Sequence, residues 1–301
     1  MLVVRPGVCQ EAEAGTHGKS MAQQVWFITG TSKGFGLEIS RAVLAAGDKV
    51  VATARNPEVV KKTLAKNDRL LVLPLDVIDE TQAASAVDTA LKEFGRLDVL
   101  VNNAGRGLVG AIEETSTSEV RSIFAVNVEG ILNVSRAVLP SMRARRSGRI
   151  LNMSSVGGFV SWAGWGIYCS AKFAVEGISE AMHAELRPLG ISVTVIEPGP
   201  FRTDFLDATS LVRTKTIIQD YSASSGSARQ WADSSHGAQP GDPTKAAAAI
   251  LNIARVADPP LRLQLGTDCV AAVEAKLRQV STELNKWRSL AESTAFENFR
   301  S

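Results

Sequence analysis

Cysteine is scarce in this 301-residue chain: Cys9, Cys169 and Cys269 are odd in number and far apart. They build neither a disulfide framework nor a cysteine-based metal site, so a reducing, cytoplasmic setting is the expectation. Histidine is equally sparse. His17, His183 and His236 lack the i, i+4 spacing of a helical zinc site, which leaves zinc-assisted hydrolysis without ligands, and no metal is expected. Charge of one sign is missing too. The net charge is +2 and no basic cluster exceeds the one spanning Arg143 to Arg146, so no phosphate-tracking surface and no nucleic-acid partner are expected. No apolar run is read as long enough to cross a bilayer, which excludes a membrane partner at this level.

What the chain does have is an ordinary globular composition, 45% hydrophobic and 21% charged, enough to bury a substantial core. Residues 1–22 hold one short apolar run followed by Glu11 and Glu13, the pattern of neither a signal peptide nor an anchor. They are expected to be a disordered extension or a non-native remnant, with Met21 an alternative start, ahead of one domain over residues 23–301. From Val25 short apolar runs alternate with helical periodicity: VWFIT, a helix from Gly34, KVVATA, a helix near Pro57 to Lys66, then RLLVLPL. The rhythm continues with a helix near Glu80 to Phe94, DVLVN, a long helix near Ser118 to Arg145, RILNMS, a helix from Ile167 to Arg187, and ISVTVIEP. Nearly continuous apolar strands separated by helices predict a parallel sheet covered on both faces. Residues 200–243 break the rhythm with a Ser/Thr/Gly-rich stretch that offers no strand and reads as a mobile insertion. LRLQL, between two further helices, supplies a seventh strand.

The first strand runs into Thr29, Gly30, Thr31, Ser32, Lys33, Gly34, Phe35 and Gly36. Glycines there permit a sharp turn and a close approach to a diphosphate, whose charge the following helix N-terminus stabilises. Tyr168 and Lys172, four apart on one predicted helix, share a face. Ser155 stands thirteen residues before Tyr168, just past a strand end. A free tyrosine with pKa near 10 needs help to act as a base near pH 7, and a nearby ammonium would favour the phenolate.

The T-G-x-x-x-G-x-G turn, N-N-A-G at Asn102 to Gly105 and Ser155 with Y-x-x-x-K resemble the short-chain dehydrogenase/reductase family, from Val25 to at least Thr203. The resemblance implies a doubly wound Rossmann-type α/β fold with a parallel sheet of about seven strands. It implies a catalytic set of Asn127, Ser155, Tyr168 and Lys172, with Ser154 an alternative to Ser155 and Asn127 positioning a water that links Lys172 to solvent. It places Gly30, Ser32, Lys33, Gly34, Phe35 and Gly36 on the cofactor phosphates, Asp76 and Val77 near the adenine, and Asn103, Ala104 and Gly105 along the cofactor. Tyr168, Lys172, Pro198, Gly199 and Thr203 would meet the nicotinamide end.

Where NAD-preferring sheets place an acid after the second strand, this chain has Ala54 and Arg55, so NADP(H) is expected over NAD(H). Solvated surface charges are the alternative reading of Arg55 and Lys33. The expected reaction interconverts a ketone or aldehyde and an alcohol, with Tyr168 as general acid/base. Trp162, Trp165, Phe201, Phe205, Leu206, Tyr221 and Trp231 suggest a wide apolar pocket for a bulky substrate, unless they merely pack together. Cys169 is read as packing, and Trp231 falls in a loop with no assigned place. The competing classes are a catalytically silent cofactor sensor or scaffold and a sugar-nucleotide epimerase, the latter needing a larger C-terminal region. Family resemblance further suggests a homodimer or homotetramer built from the long helices near Ser118 to Arg145 and Ile167 to Arg187.

Overall fold

The computed structural model describes residues 23–296, so the expected extension over 1–22 lies outside the described residues. In chain order the elements are β1 (Val25–Thr29), α1 (Gly34–Ala45), β2 (Lys49–Ala54), α2 (Pro57–Thr63), β3 (Leu70–Pro74), α3 (Glu80–Phe94), β4 (Val99–Asn102) and β5 (Gly107–Val109). There follow α4 (Thr117–Phe124), α5 (Gly130–Arg145), β6 (Gly148–Met153), α6 (Gly166–Leu186), β7 (Ile191–Pro198) and β8 (Leu211–Arg213). The last are α7 (Ser227–Ser235), α8 (Pro243–Ile253), β9 (Arg262–Leu265) and α9 (Thr267–Glu292).

Seven strands form one parallel sheet in the order β3-β2-β1-β4-β6-β7-β9. Side chains alternate across it. Trp26, Ile28, Val50 and Val101 pack with Leu37, Ile39 and Val43 of α1 and Ile250 of α8, whereas Phe27, Val51, Leu100 and Ile150 pack with α3, α5 and α6 on the other face. Both faces are covered, which is why these strands read as unbroken apolar runs. Between β1 and β4 the strand order reverses, opening a crevice at their carboxyl ends where a doubly wound sheet binds its ligand.

The long helix expected over Ser118 to Arg145 begins with a Ser116/Glu119 capping box and is interrupted by one π-helical turn, Ala125–Glu129, that carries Asn127. An 18-residue window within Thr117–Arg145 has mean hydropathy 1.3, so by length and composition this helix could span a bilayer, contrary to the reading of the sequence. Its apolar residues are committed elsewhere: Val134, Val138 and Met142 pack against the sheet.

The insertion also differs from expectation, because β8 pairs in parallel with β5 and α7 follows it. Leu206, Leu211 and Ala232 bury themselves against Val109, with Trp165 and Phe205 packed around them. A three-residue strand has too little sequence for its own alternation to show. Its stability comes from the distant partner strand and this small core.

Candidate active site

The glycine turn closes on itself. Gly30 has φ +70°, and a Cβ on Gly36 would lie 2.3 Å from the Gly30 carbonyl oxygen, so only glycine fits there. Lys33 caps α1 without a side-chain hydrogen bond and the first turn carries no acid, which leaves the N–H groups and positive end of this helix free to receive an anion. The turn is braced from β4. Thr29 Oγ1 accepts from the N–H groups of Asn103 (2.9 Å) and Ala104 (3.0 Å), and Asn103 Nδ2 donates to the carbonyls of Thr29 (2.8 Å) and Gly30 (3.0 Å). The side chain of Asn103 therefore holds the turn.

From β6 and α6 come the polar groups of the opposite end. Ser155 Oγ accepts from the Gly157 N–H at 3.1 Å, and Lys172 Nζ donates to the Met153 carbonyl at 2.7 Å while lying 5.9 Å from the Tyr168 ring centre. Both side chains of the helical pair are buried. Burial raises the Tyr168 phenol well above its ordinary range, with the Ser155 hydroxyl opposing part of that shift. The same desolvation pushes Lys172 down to about 8, against the charge of Glu176 one turn on. Burial therefore sets the direction of the Tyr168 shift, with the Lys172 ammonium standing beside the ring.

Asn127 approaches from the π-turn. Its Oδ1 accepts from the Arg106 N–H (2.9 Å) and its Nδ2 donates to the Arg106 carbonyl (2.8 Å). A Cβ on Gly105 would fall 2.9 Å from Asn127 Oδ1 and 3.7 Å from Lys172 Nζ, so the bare backbone at Gly105 is what lets these two side chains come together.

One cavity of about 940 Å³ joins the glycine turn to Tyr168 and Lys172. Its far wall is aromatic: the Tyr168 ring lies 5.4 Å from Phe205 and 6.0 Å from Trp165, which in turn meets Trp231 at 6.0 Å. Trp231 rides on α7, and a buried ion pair anchors that helix. Arg229 donates to both oxygens of Glu114 (2.6 and 3.3 Å), and Glu114 also accepts from the N–H groups of Ala111 and Ile218. Arg229 holds this carboxyl down at about 2.

A profile of the family described as short chain dehydrogenase matches residues 24–212. The chain belongs to the short-chain dehydrogenase/reductase family. It is 38% identical over 274 residues to Oxidoreductase BOA17 of Botryotinia fuckeliana, covering 90% of this chain and 99% of that one. It is 36% identical over 248 residues to a 3-ketodihydrosphingosine reductase of Bacteroides thetaiotaomicron, covering 82% and 89%. The crystal structure of a short-chain dehydrogenase from Streptomyces avermitilis superposes with a TM-score of 0.85 at 41% identity, over 92% of this chain and 100% of that chain. The protein is thus an oxidoreductase with the NAD(P)-binding fold of the short-chain dehydrogenases.

Against that family frame, most residues singled out from the sequence line the one cavity: Gly30, Ser32, Lys33, Gly34, Phe35, Arg55, Asp76, Val77, Asn103, Ala104 and Gly105 at one end, Ser155, Tyr168, Lys172, Pro198, Gly199 and Thr203 at the other. Gly36 and Asn127 stand behind the wall and shape it. Lys33 is already engaged, its ammonium donating to Thr209 Oγ1 and lying 3.9 Å from Asp207. Tyr221 does not join the pocket; its hydroxyl donates to Glu113 on the surface. Cys169, read as mere packing, lines the cavity beside Tyr168, and Ser154 turns toward Glu176. Sequence reasoning missed Glu114 and Arg229. Within the polar run Glu113 to Glu119 nothing distinguishes a buried carboxylate from a solvated one, because its partner lies 115 residues away.

Proposed function

We propose that this short-chain dehydrogenase/reductase is an NADP(H)-preferring carbonyl reductase or alcohol dehydrogenase with Tyr168 as its general acid/base. The observation that carries this reading is the convergence of Ser155, Tyr168 and Lys172 on the same cavity that starts at the glycine turn. The turn suits a dinucleotide: Gly36 removes the atom that would block it, and the end of α1 carries uncapped N–H groups. When bound there, the cofactor supplies or accepts the hydride.

The chain's own residues handle the substrate oxygen and its proton. Ser155 and Tyr168 hydrogen-bond the carbonyl oxygen, and Tyr168 gives up its phenolic proton as charge develops on that oxygen. A phenol held protonated by burial is loaded for this step in the direction of reduction. Lys172, fixed by the Met153 carbonyl, places its ammonium close enough to stabilise the phenolate left behind. Asn127 keeps the Gly105–Arg106 backbone in position, and its Oδ1 faces the Lys172 side, where a water could complete the path to solvent.

The preference for NADP(H) rests on Arg55. It is exposed at the end of β2 beside the buried Ala54, no acid precedes it, and among the described residues it has no ion-pair partner. Its guanidinium can grip a ribose phosphate with two parallel hydrogen bonds, whereas Lys33 is tied to Thr209 and Asp207. The aromatic wall suits a bulky, apolar ketone or secondary alcohol, and the relative that reduces 3-ketodihydrosphingosine fits that class. A reducing cytoplasm and a homodimeric or homotetrameric assembly complete the reading.

The test compares catalytic efficiency with NADPH and NADH across aldehydes, ketones, steroids and quinones. NADPH should win, and Arg55→Asp should weaken NADPH by about 10- to 100-fold, the loss of a charge-assisted bidentate contact. Equal or better efficiency of the native enzyme with NADH would refute the role given to Arg55.

A further inference from the structure

Helix α9 leaves the body. Its first turns are anchored by the buried Cys269 and Val273, but every described residue from Leu277 to Phe296 is exposed. The sixteen helical residues from Leu277 to Glu292 therefore extend about 24 Å into solvent, at 1.5 Å per residue. A lone helix of that length is marginal in water.

Its apolar residues are not scattered. Val270, Val273, Leu277, Val280, Leu284 and Trp287 recur at alternating spacings of three and four, the a and d positions of three successive heptads. Leu277, Leu284 and Trp287 are 54%, 53% and 57% exposed and lie above one another on a single helix face. Beside the seam, Leu290 at a flanking position is also exposed, and the rest of the helix carries both signs of charge: Lys276, Arg278, Lys286 and Arg288 against Glu274, Glu283 and Glu292. A helix that lies on lipid carries a broad apolar face and a predominantly basic polar face. This one has neither.

We propose that α9 is an association helix and that its partner is a second copy of this chain, packed parallel and in register. The flanking charges select that arrangement. Beside the seam, Glu283 occupies a g position and Arg288 the next e position, so each Glu283 faces the Arg288 of the second copy, twice per pair, and Lys276 faces the neutral Ser281. An antiparallel pair with leucine, valine and tryptophan in the same layers would gain Glu274–Arg288 contacts but bring Glu283 against its own copy, a repulsion that the parallel pair avoids. The first turn of α9 lines the cavity that holds Tyr168, through Asp268, Cys269 and Ala272, but the exposed stretch from Leu277 onward does not, so the contact proposed there rests on no particular cofactor or substrate.

Light scattering on the full-length chain tests the seam. Leu277→Glu/Leu284→Glu should halve the solution mass of the native protein while the variant still unfolds in a cooperative thermal transition. Leu284→Cys gives an independent reading that leaves the helix intact. Under mild oxidation it should form a disulfide-linked pair, and Ser289→Cys on the opposite face should not, with the native chain as control for its own cysteines. An unchanged mass in the double variant, or no cross-link through Leu284→Cys, overturns the proposal. So does a monomeric native chain that floats with vesicles of phosphatidylcholine and phosphatidylserine.

Discussion

Removing the carboxylate of Glu114 should unlatch the aromatic wall without disturbing the cofactor end of the cavity. In the native structure Glu114 is 1% exposed and takes four hydrogen bonds, two from Arg229 and two from backbone N–H groups. Glu114→Ala leaves a mostly buried guanidinium and two N–H groups without partners, and breaking a buried ion pair from one side costs about 3–5 kcal/mol. The loss falls on local opening of the 218–235 segment, because that segment packs in its own small cluster with Leu206, Leu211 and Ala232. At about 1.4 kcal/mol per factor of ten, amide exchange of α7 should accelerate by about 10²- to 10⁴-fold. Hydrogen exchange read by mass spectrometry on peptides across 218–235, against peptides from β1 and β2 as internal reference, measures this directly. Acidification should imitate the mutation. The folded carboxyl sits at about 2, below its ordinary 4.5, so its contribution is complete above pH 4.5 and is lost as the pH falls from there toward 2. Unchanged exchange over 218–235 in Glu114→Ala would refute the latch.

Two further outcomes follow from the same geometry. Gly36→Ala places a methyl 2.3 Å from the Gly30 carbonyl oxygen, and forcing the turn open should lower stability by about 1–3 kcal/mol and weaken dinucleotide binding, read by thermal melts and nucleotide fluorescence titration. Glu197 is fully buried, and burial raises its carboxyl to about 7. Between its ordinary value of 4.5 and about 7 the folded state holds a proton that the unfolded chain releases, so native stability should fall as pH rises through that window. Glu197→Gln should flatten this part of the urea-melt profile, and an identical slope in the variant would contradict it.

The inner strands of the sheet were legible because they are buried on both faces, so Val25–Thr29 and Ile191–Pro198 show as apolar runs with sharp ends. Helix α3 was legible from start to stop for a local reason. Asp79 caps its first turn and Gly95 at φ +74° ends it, both chemical signals carried by single residues. The site was readable to the extent that spacing encodes proximity: Tyr168 and Lys172 are neighbours on a helix, and Gly30 to Gly36 form one turn. What escaped depends on contacts between remote segments. Nothing local marks the π-turn that brings Asn127 inward, the pairing of β8 with β5, or the capture of Lys33 by Thr209 and Asp207. The depth of Tyr168's burial escaped for a related reason, since Phe205 of the insertion covers the ring from outside its own helix.

The central claim is that Tyr168 delivers and removes the substrate proton. Steady-state turnover of Tyr168→Phe, measured beside its nucleotide affinity with a substrate from the carbonyl panel, tests it most directly. The substitution keeps the ring against Trp165 and Phe205 and deletes only the hydroxyl, so NADPH binding should stay within about twofold while turnover falls by about 10²- to 10⁴-fold, the usual worth of a positioned acid. Full turnover in Tyr168→Phe, with the cofactor bound as in the native enzyme, would contradict the account.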